Sequence, residues 1–205
     1  LEKQLGKFIN ANYVYAVNTG SSALWLAFKI LNLPIGSKVI TTSYSCVAII
    51  NSICNAGLIP TFVDLDLNTV NADVETIFNV CKSSSDICAI VFPHIGGYPS
   101  EISILKNLDI PIIEDCAASI GSLTSNGLVG ALGDIAIFSF GSTKLITGGN
   151  GGAIAFNNRK NAEQMEKFLD YELKNFNYFD DKFENKVNER MSNLTAALTL
   201  SQLSN

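Results

Sequence analysis

Short apolar runs with no polar residue at alternate positions constrain this chain more than any other feature. Runs such as Ala89-Ile90-Val91-Phe92 and Pro111-Ile112-Ile113 read as strands covered on both faces, because a strand with one wet face alternates polar and apolar residues. Seven such runs are predicted as strands: Val14–Val17, Lys38–Thr41, Thr61–Asp64, Cys88–Phe92, Pro111–Asp115, Ile135–Phe140 and Gly152–Phe156. Stretches with helical periodicity fall between several of them, at Ser21–Leu31, Cys46–Ala56, Asp73–Cys81 and Ser100–Asn107. Strand and helix in alternation predict an α/β fold, a three-layer αβα arrangement around a mainly parallel seven-stranded sheet. At 205 residues the chain fits one domain with a genuine core, and 47% apolar residues against 16% charged argues against disorder.

Charge and cysteine content narrow the function. A net charge of −5 with no basic block lacks the footprint of a nucleic-acid binder. The five cysteines are an odd number, and His94 is the sole histidine, so neither a disulfide framework nor a zinc site is expected. They read as small buried hydrophobes of a protein kept in a reducing cytoplasm. Residues 39–63 are uncharged and long enough to cross a bilayer, yet Thr41, Thr42, Ser43, Ser45, Asn51, Ser52, Asn55 and Pro60 interrupt them. No membrane partner is expected. Between Arg159 and Arg190 lie 15 of the 33 charged residues, which predicts a solvated excursion. Ser192 then caps a helix that runs toward Asn205.

Five features sit at loops after strands, where an open parallel sheet places its ligands. Asn18-Thr19-Gly20-Ser21-Ser22 opens a helix and offers free N–H groups and hydroxyls to an anion, or serves as an ordinary N-cap. Glu114-Asp115 ends a buried strand, where a carboxylate needs a cation or proton donor. It reads as a metal ligand, an acid/base, a partner for a protonated ring nitrogen, or a cap for a helix at Cys116–Ile120. Ser139-Phe140-Gly141-Ser142-Thr143-Lys144 runs into Thr147-Gly148-Gly149-Asn150-Gly151-Gly152. A lone lysine among hydroxyls and glycines suits Schiff-base chemistry once its pKa is lowered. The rival is a nucleotide phosphate loop, but there the lysine follows the glycines. Tyr44, in Thr42-Ser43-Tyr44-Ser45-Cys46, is an aromatic able to stack on a planar cofactor or to fill core. His94 ends a strand, and its default role is a structural hydrogen bond.

Taken in order, N-T-G-S-S-A-L, T-T-S-Y-S-C-V-A, F-V-D-L-D, P-H-I-G-G-Y-P, I-I-E-D-C-A-A-S-I-G, G-D-I-A-I-F-S-F-G-S-T-K and G-G-N-G-G-A-I resemble the DegT/DnrJ/EryC1/StrS sugar aminotransferase family. The resemblance spans nearly the whole chain. It implies a fold-type I enzyme dependent on pyridoxal 5'-phosphate (PLP), moving an amino group from glutamate or glutamine to a nucleotide-linked keto sugar. Such enzymes serve cell-surface polysaccharide or secondary-metabolite sugar biosynthesis. Position by position, it implies that Lys144 is the Schiff-base lysine and that Asp115 faces the pyridine nitrogen. Gly20, Ser21, Ser22 and Ser139 match phosphate-binding positions. Asn188 matches an asparagine reaching the phosphate of a neighbouring subunit, which implies a homodimer with a shared site. Tyr44, Cys46 and Ala118 fall at the cofactor ring. Cys46 stands where an aromatic commonly stacks, and Ala118 where glutamine or histidine usually meets the ring hydroxyl. A histidine in place of the lysine marks the family's sugar dehydratases, and Lys144 argues against that activity.

By the same resemblance, residues 1–205 are a single PLP-binding large domain that begins inside its first helix and stops where a C-terminal small domain starts. Three readings follow: an incomplete sequence of a working aminotransferase, half of a split enzyme, or an inactive relative acting as a binding or regulatory module. The first is favoured because Lys144 and Asp115 are both present.

Overall fold

The computed structural model describes residues 1–169 and 187–203. Its strands are β1 (Tyr13–Val17), β2 (Lys38–Thr42), β3 (Ile59–Val63), β4 (Ile87–Pro93), β5 (Ile112–Asp115), β6 (Leu123–Thr124), β7 (Gly127–Leu128), β8 (Ile135–Ser139) and β9 (Gly152–Phe156). Seven of them make one sheet in the order β1-β9-β8-β5-β4-β2-β3, and β6 and β7 pair apart from it. Strands β8, β5, β4, β2 and β3 are mutually parallel, whereas β9 runs antiparallel to both its neighbours. The C-terminal ends of β1, β2, β4, β5 and β8 therefore share one edge of the sheet.

Helices cover both faces, as the unbroken apolar runs require. On one face α2 (Gly20–Leu31), α3 (Val47–Asn55) and α5 (Arg159–Leu169) bury residues such as Leu24, Ile53 and Met165 against Val91, Ile113, Ile137 and Ile154. On the other, α4 (Val74–Ser83) packs Ile77 against Ile90, Phe92 and Ile112, and α1 (Glu2–Ile9) packs Leu5 and Ile9 against Phe138 and Ala153. Successive strand residues point to opposite faces, so Glu114 and Asp115 part company at the end of β5.

Local chemistry fixes where helices begin. Thr19 is extended at φ −151°, and its hydroxyl oxygen accepts the Ser22 N–H at 2.9 Å, starting α2. Asp73 starts α4 by accepting the Glu75 N–H at 3.0 Å. The expected cap at Ser192 also forms: its hydroxyl oxygen accepts the Thr195 N–H at 3.1 Å, ahead of α6 (Asn193–Leu203).

The structure departs from the sequence reading in four places. The stretch Ser100–Asn107 is not α-helical but a 3-10 turn at Ser103–Leu108, where the inward residues Ile102 and Leu105 keep the three-residue spacing of that helix. The residues after Asp115 form turns, with Ser119 N–H donating to Cys116 O and Ser122 N–H to Ser119 O, rather than a helix at Cys116–Ile120. Cys46 and Cys54 are exposed, and only Cys81 and Cys116 are buried. The charged excursion opens with a packed helix, because α5 turns Ala162, Met165 and Leu169 inward while its charges face water. Residues 170–186 of that excursion, and the final residues of the chain, lie outside the described residues. Met165 is wholly buried in the core. Met165→Ala is expected to lower the unfolding free energy by about 2–5 kcal/mol, read by urea denaturation. A solvated segment would lose almost nothing.

Candidate active site

The shared edge of the sheet carries a cavity of about 330 Å³ whose wall includes Tyr44, Cys46, His94, Asp115, Ala118 and Lys144. They arrive from four strand ends. Tyr44 and Cys46 follow β2, His94 follows β4, Asp115 and Ala118 end and follow β5, and Lys144 follows β8. Tyr44 is 57% exposed and stands at the cavity wall. Cys46 occupies the N-cap of α3 and makes no side-chain capping bond.

Glu114 and Asp115 are neighbours with opposite environments. Glu114 is fully buried, and its carboxylate accepts from Gly130 N–H at 2.8 Å, Leu132 N–H at 2.7 Å and Gly133 N–H. Its fourth donor is His94, with Nε2 3.2 Å from Oε2. His94 Nδ1 accepts the Ser100 N–H at 3.3 Å, which places the ring proton on Nε2. The histidine thus has the structural hydrogen bonds expected of it. Glu114, His94 and Cys116 offer atoms within 4.8 Å of one another, the spacing of a metal cluster. Both ring nitrogens and both carboxylate oxygens are already committed, so the trio reads as a structural knot.

Asp115 is only 8% exposed, and its Oδ1 accepts a single N–H, that of Ala117 at 2.9 Å. Its other oxygen has no hydrogen-bond partner among the described residues. Burial pushes the Asp115 carboxyl above its ordinary range, against smaller pulls from the Ala117 N–H, the Lys144 ammonium and His94. Burial likewise holds the Cys116 thiol well above its ordinary value, helped by the charges of Glu114 and Asp115. Cys116 is a packing residue.

A second group lies at the N-terminus of α2. Gly20 and Ser21 begin the helix, so their N–H groups lack partners within it. Ser139 closes in beside them, and a Cβ on Gly20 would sit 2.8 Å from the Ser139 Cβ. Ser21 is exposed, while the Ser22 hydroxyl is engaged with Thr19 Oγ1 at 2.9 Å. Gly152, register partner of Ser139, must lack a side chain because a Cβ would overlap the Thr19 carbonyl. Gly20, Ser21, Ser22 and Ser139 gather at the same sheet edge as the cavity but do not form its wall. Asn188 is exposed close by, its carbonyl accepting from Asn18 Nδ2 at 3.0 Å. The segment around it is pinned to β1 by Asn18 N–H to Glu189 O at 2.9 Å and Met191 N–H to Ala16 O at 3.2 Å.

The donor set suits a flat, phosphate-bearing aldehyde such as PLP. Main-chain N–H groups, the Ser21 and Ser139 hydroxyls and a floor narrowed by Gly20 fit a phosphate. An under-satisfied buried carboxylate fits a protonated ring nitrogen, and a primary amine on the same wall fits an aldehyde.

Sequence reasoning missed the shape of the wall between His94 and Ser100. Asn71, wholly buried, donates through Nδ2 to Tyr98 O at 2.9 Å and Ser100 Oγ at 2.7 Å, and accepts the Ile95 N–H at 2.7 Å. The only signal in the sequence is a polar residue between apolar neighbours before Asp73.

Comparisons with known proteins identify the family and the fold. The model of the DegT/DnrJ/EryC1/StrS aminotransferase family matches residues 1–205. Over 211 residues the chain is 34% identical to a GDP-perosamine synthase of Escherichia coli O157:H7, covering 99% of this chain and 57% of that protein. The fold superposes on Helicobacter pylori PseC, an aminotransferase involved in pseudoaminic acid biosynthesis. The TM-score is 0.89 at 26% identity, over 99% of this chain and 56% of that one. NtdA from Bacillus subtilis, solved with the cofactor PMP bound, gives a TM-score of 0.86 at 27% identity, over 98% of this chain and 46% of that one. The chain spans about half the length of these relatives.

Because burial raises the folded Asp115 carboxyl above an unfolded value near 3.9, the native state favours the protonated form more than the unfolded state does. Its contribution to stability is complete below the unfolded value and is lost as pH rises through the folded one. In the cofactor-free chain, Asp115→Asn is therefore expected to be more stable than the parent at about pH 7, with the gap closing near pH 4. Urea unfolding across that range is the measurement, and a variant less stable than the parent at neutral pH would contradict this account.

Proposed function

The chain belongs to the DegT/DnrJ/EryC1/StrS aminotransferase family, and from that premise we propose that residues 1–205 are the PLP-binding large domain of a sugar aminotransferase. The single observation that carries this reading is one cavity wall holding both Asp115, a largely buried carboxylate with one protein donor, and Lys144. The PMP bound in NtdA supports the cofactor. The name of the E. coli relative supports a nucleotide-linked sugar as acceptor. Glutamate or glutamine is the proposed amino donor.

When bound, the cofactor supplies an electron sink for negative charge at the carbon that loses its proton. The protein's own groups do the rest. Asp115 holds positive charge at the ring nitrogen, and its burial, which costs stability in the empty chain, strengthens that interaction. Lys144 Nζ anchors the cofactor and, when released, takes and returns the proton. The N–H groups of Gly20 and Ser21 and the hydroxyls of Ser21 and Ser139 orient the phosphate, and the Ser22 hydroxyl joins them where Thr19 Oγ1 is the donor of their shared bond. Tyr44, Cys46 and Ala118 form the wall around the ring.

The proposed setting is a cytoplasmic homodimer. Asn188 reaches the phosphate of a neighbouring copy, a role supported by its exposure at the edge where α2 begins. Among the described residues no helix is long and apolar enough to cross a membrane.

Titration of the purified chain with PLP tests this function. Near-visible absorbance shifted to longer wavelength than that of the free aldehyde is expected to develop in the parent and to be absent in Lys144→Ala, which keeps non-covalent binding. Asp115→Asn is expected to weaken binding about tenfold or more, as loss of one charged hydrogen bond implies. A band that persists in Lys144→Ala removes the lysine's assignment. Failure of the parent to bind PLP even at high concentration leaves a non-catalytic binding module.

A further inference from the structure

Lys144 stands in a loop held by no ladder of its own. From Gly141 to Gly151 the chain passes from β8 to β9 through turns, and Ser142, Thr143 and Leu145 are exposed. One short bond, Lys144 N–H to Gly141 O at 3.0 Å, closes the side before the lysine. The side after it converges on Thr147. The Thr147 hydroxyl donates to Phe140 O at 3.3 Å and accepts the Gly149 N–H at 3.0 Å, while Gly148 N–H donates to Phe140 O at 3.0 Å.

The main chain of Thr147 is claimed from outside the loop. Its N–H donates to Gln202 Oε1 at 3.0 Å, and Gln202 Nε2 donates back to Thr147 O. One side-chain amide engages both peptide groups as a strand partner would, and the reciprocity fixes which end is oxygen. The rest of α6 seats against the same loop. A Cβ on Gly148 would sit 2.9 Å from Thr195 Cγ2, and one on Gly151 would sit 3.2 Å from it.

We propose that Gln202 is a positioning residue for Lys144: α6 offers its amide as a clamp on Thr147, three residues beyond the lysine, and so sets where the lysine amine enters the cavity. The clamp belongs to the protein chain itself, and its chemical consequence rests on the cofactor reading above. A lysine on a flexible four-carbon stem reaches a fixed point only as well as its backbone is placed, and an error of about 1 Å is worth up to a hundredfold in rate.

The test compares Gln202→Ala with Leu203→Ala, which removes packing of α6 on the core without touching Thr147. In the cofactor-free chain, amide hydrogen exchange at Thr147 is expected to accelerate at least tenfold in Gln202→Ala and to stay within about twofold of the parent in Leu203→Ala. With PLP, near-visible absorbance is expected to develop about tenfold more slowly in Gln202→Ala only. Added to Lys144→Ala, Gln202→Ala should leave the non-covalent dissociation constant unchanged. Unaltered exchange at Thr147, equal acceleration in Leu203→Ala, or an equal loss of non-covalent binding would each overturn the clamp. A parent chain with no near-visible band refutes the cofactor reading instead, and the exchange comparison still decides the clamp.

Discussion

A carboxylate withdrawn from water must be met by donors or remain a liability, and the end of β5 applies both outcomes to adjacent residues. Glu114 receives three main-chain N–H groups and the His94 ring. It thereby fixes the backbone from Gly130 to Gly133, the strand end at His94 and, through Ser100, the rim beyond. Asp115 receives one N–H. The side chain that is fully answered builds the frame, and the one that is not faces the cavity, where a cation would complete it. Strand geometry alone separates them, since consecutive residues cannot share a face.

That division explains how much of the molecule was legible beforehand. Strands buried on both faces announce themselves by unbroken apolar runs, and all seven expected strands form with ends shifted by at most two residues, although the edge strand β3 leaves Ile59 and Phe62 about half exposed. Asp115, Lys144 and the α2 N-terminus were visible because each follows such a run. The Glu114–His94 pairing was not, because the partners lie twenty residues apart and nothing in either neighbourhood specifies the other. Helix α5 was hidden by its charges, which outnumber the three inward residues that dock it. The 3-10 turn at Ser103–Leu108 shares an inward spacing of three residues with one face of an α-helix, so periodicity could not separate them.

Close approach of backbone links the phosphate-suited group to the sheet. The antiparallel strand β9 places Gly152 against the Thr19 carbonyl and beside Ser139, so α2 starts within contact of β8. A glycine at 152 is needed for room rather than for an unusual dihedral, and Gly20 meets Ser139 for the same reason. Two strands of opposite direction and one helix therefore meet without side chains between them, leaving N–H groups and hydroxyls uncovered at the edge.

The joint between residues 187–191 and β1 is made chiefly of peptide groups: Asn18 to Glu189, Met191 to Ala16, and an isolated bridge between Val17 and Arg190. Such a seam reads the path of the chain and hardly its alphabet. The Glu189 side chain adds only a long bond from Asn18 Nδ2, at 3.5 Å, so a substitution there is expected to leave in place the trace that carries Asn188. Sequence divergence concentrated there would be silent in shape.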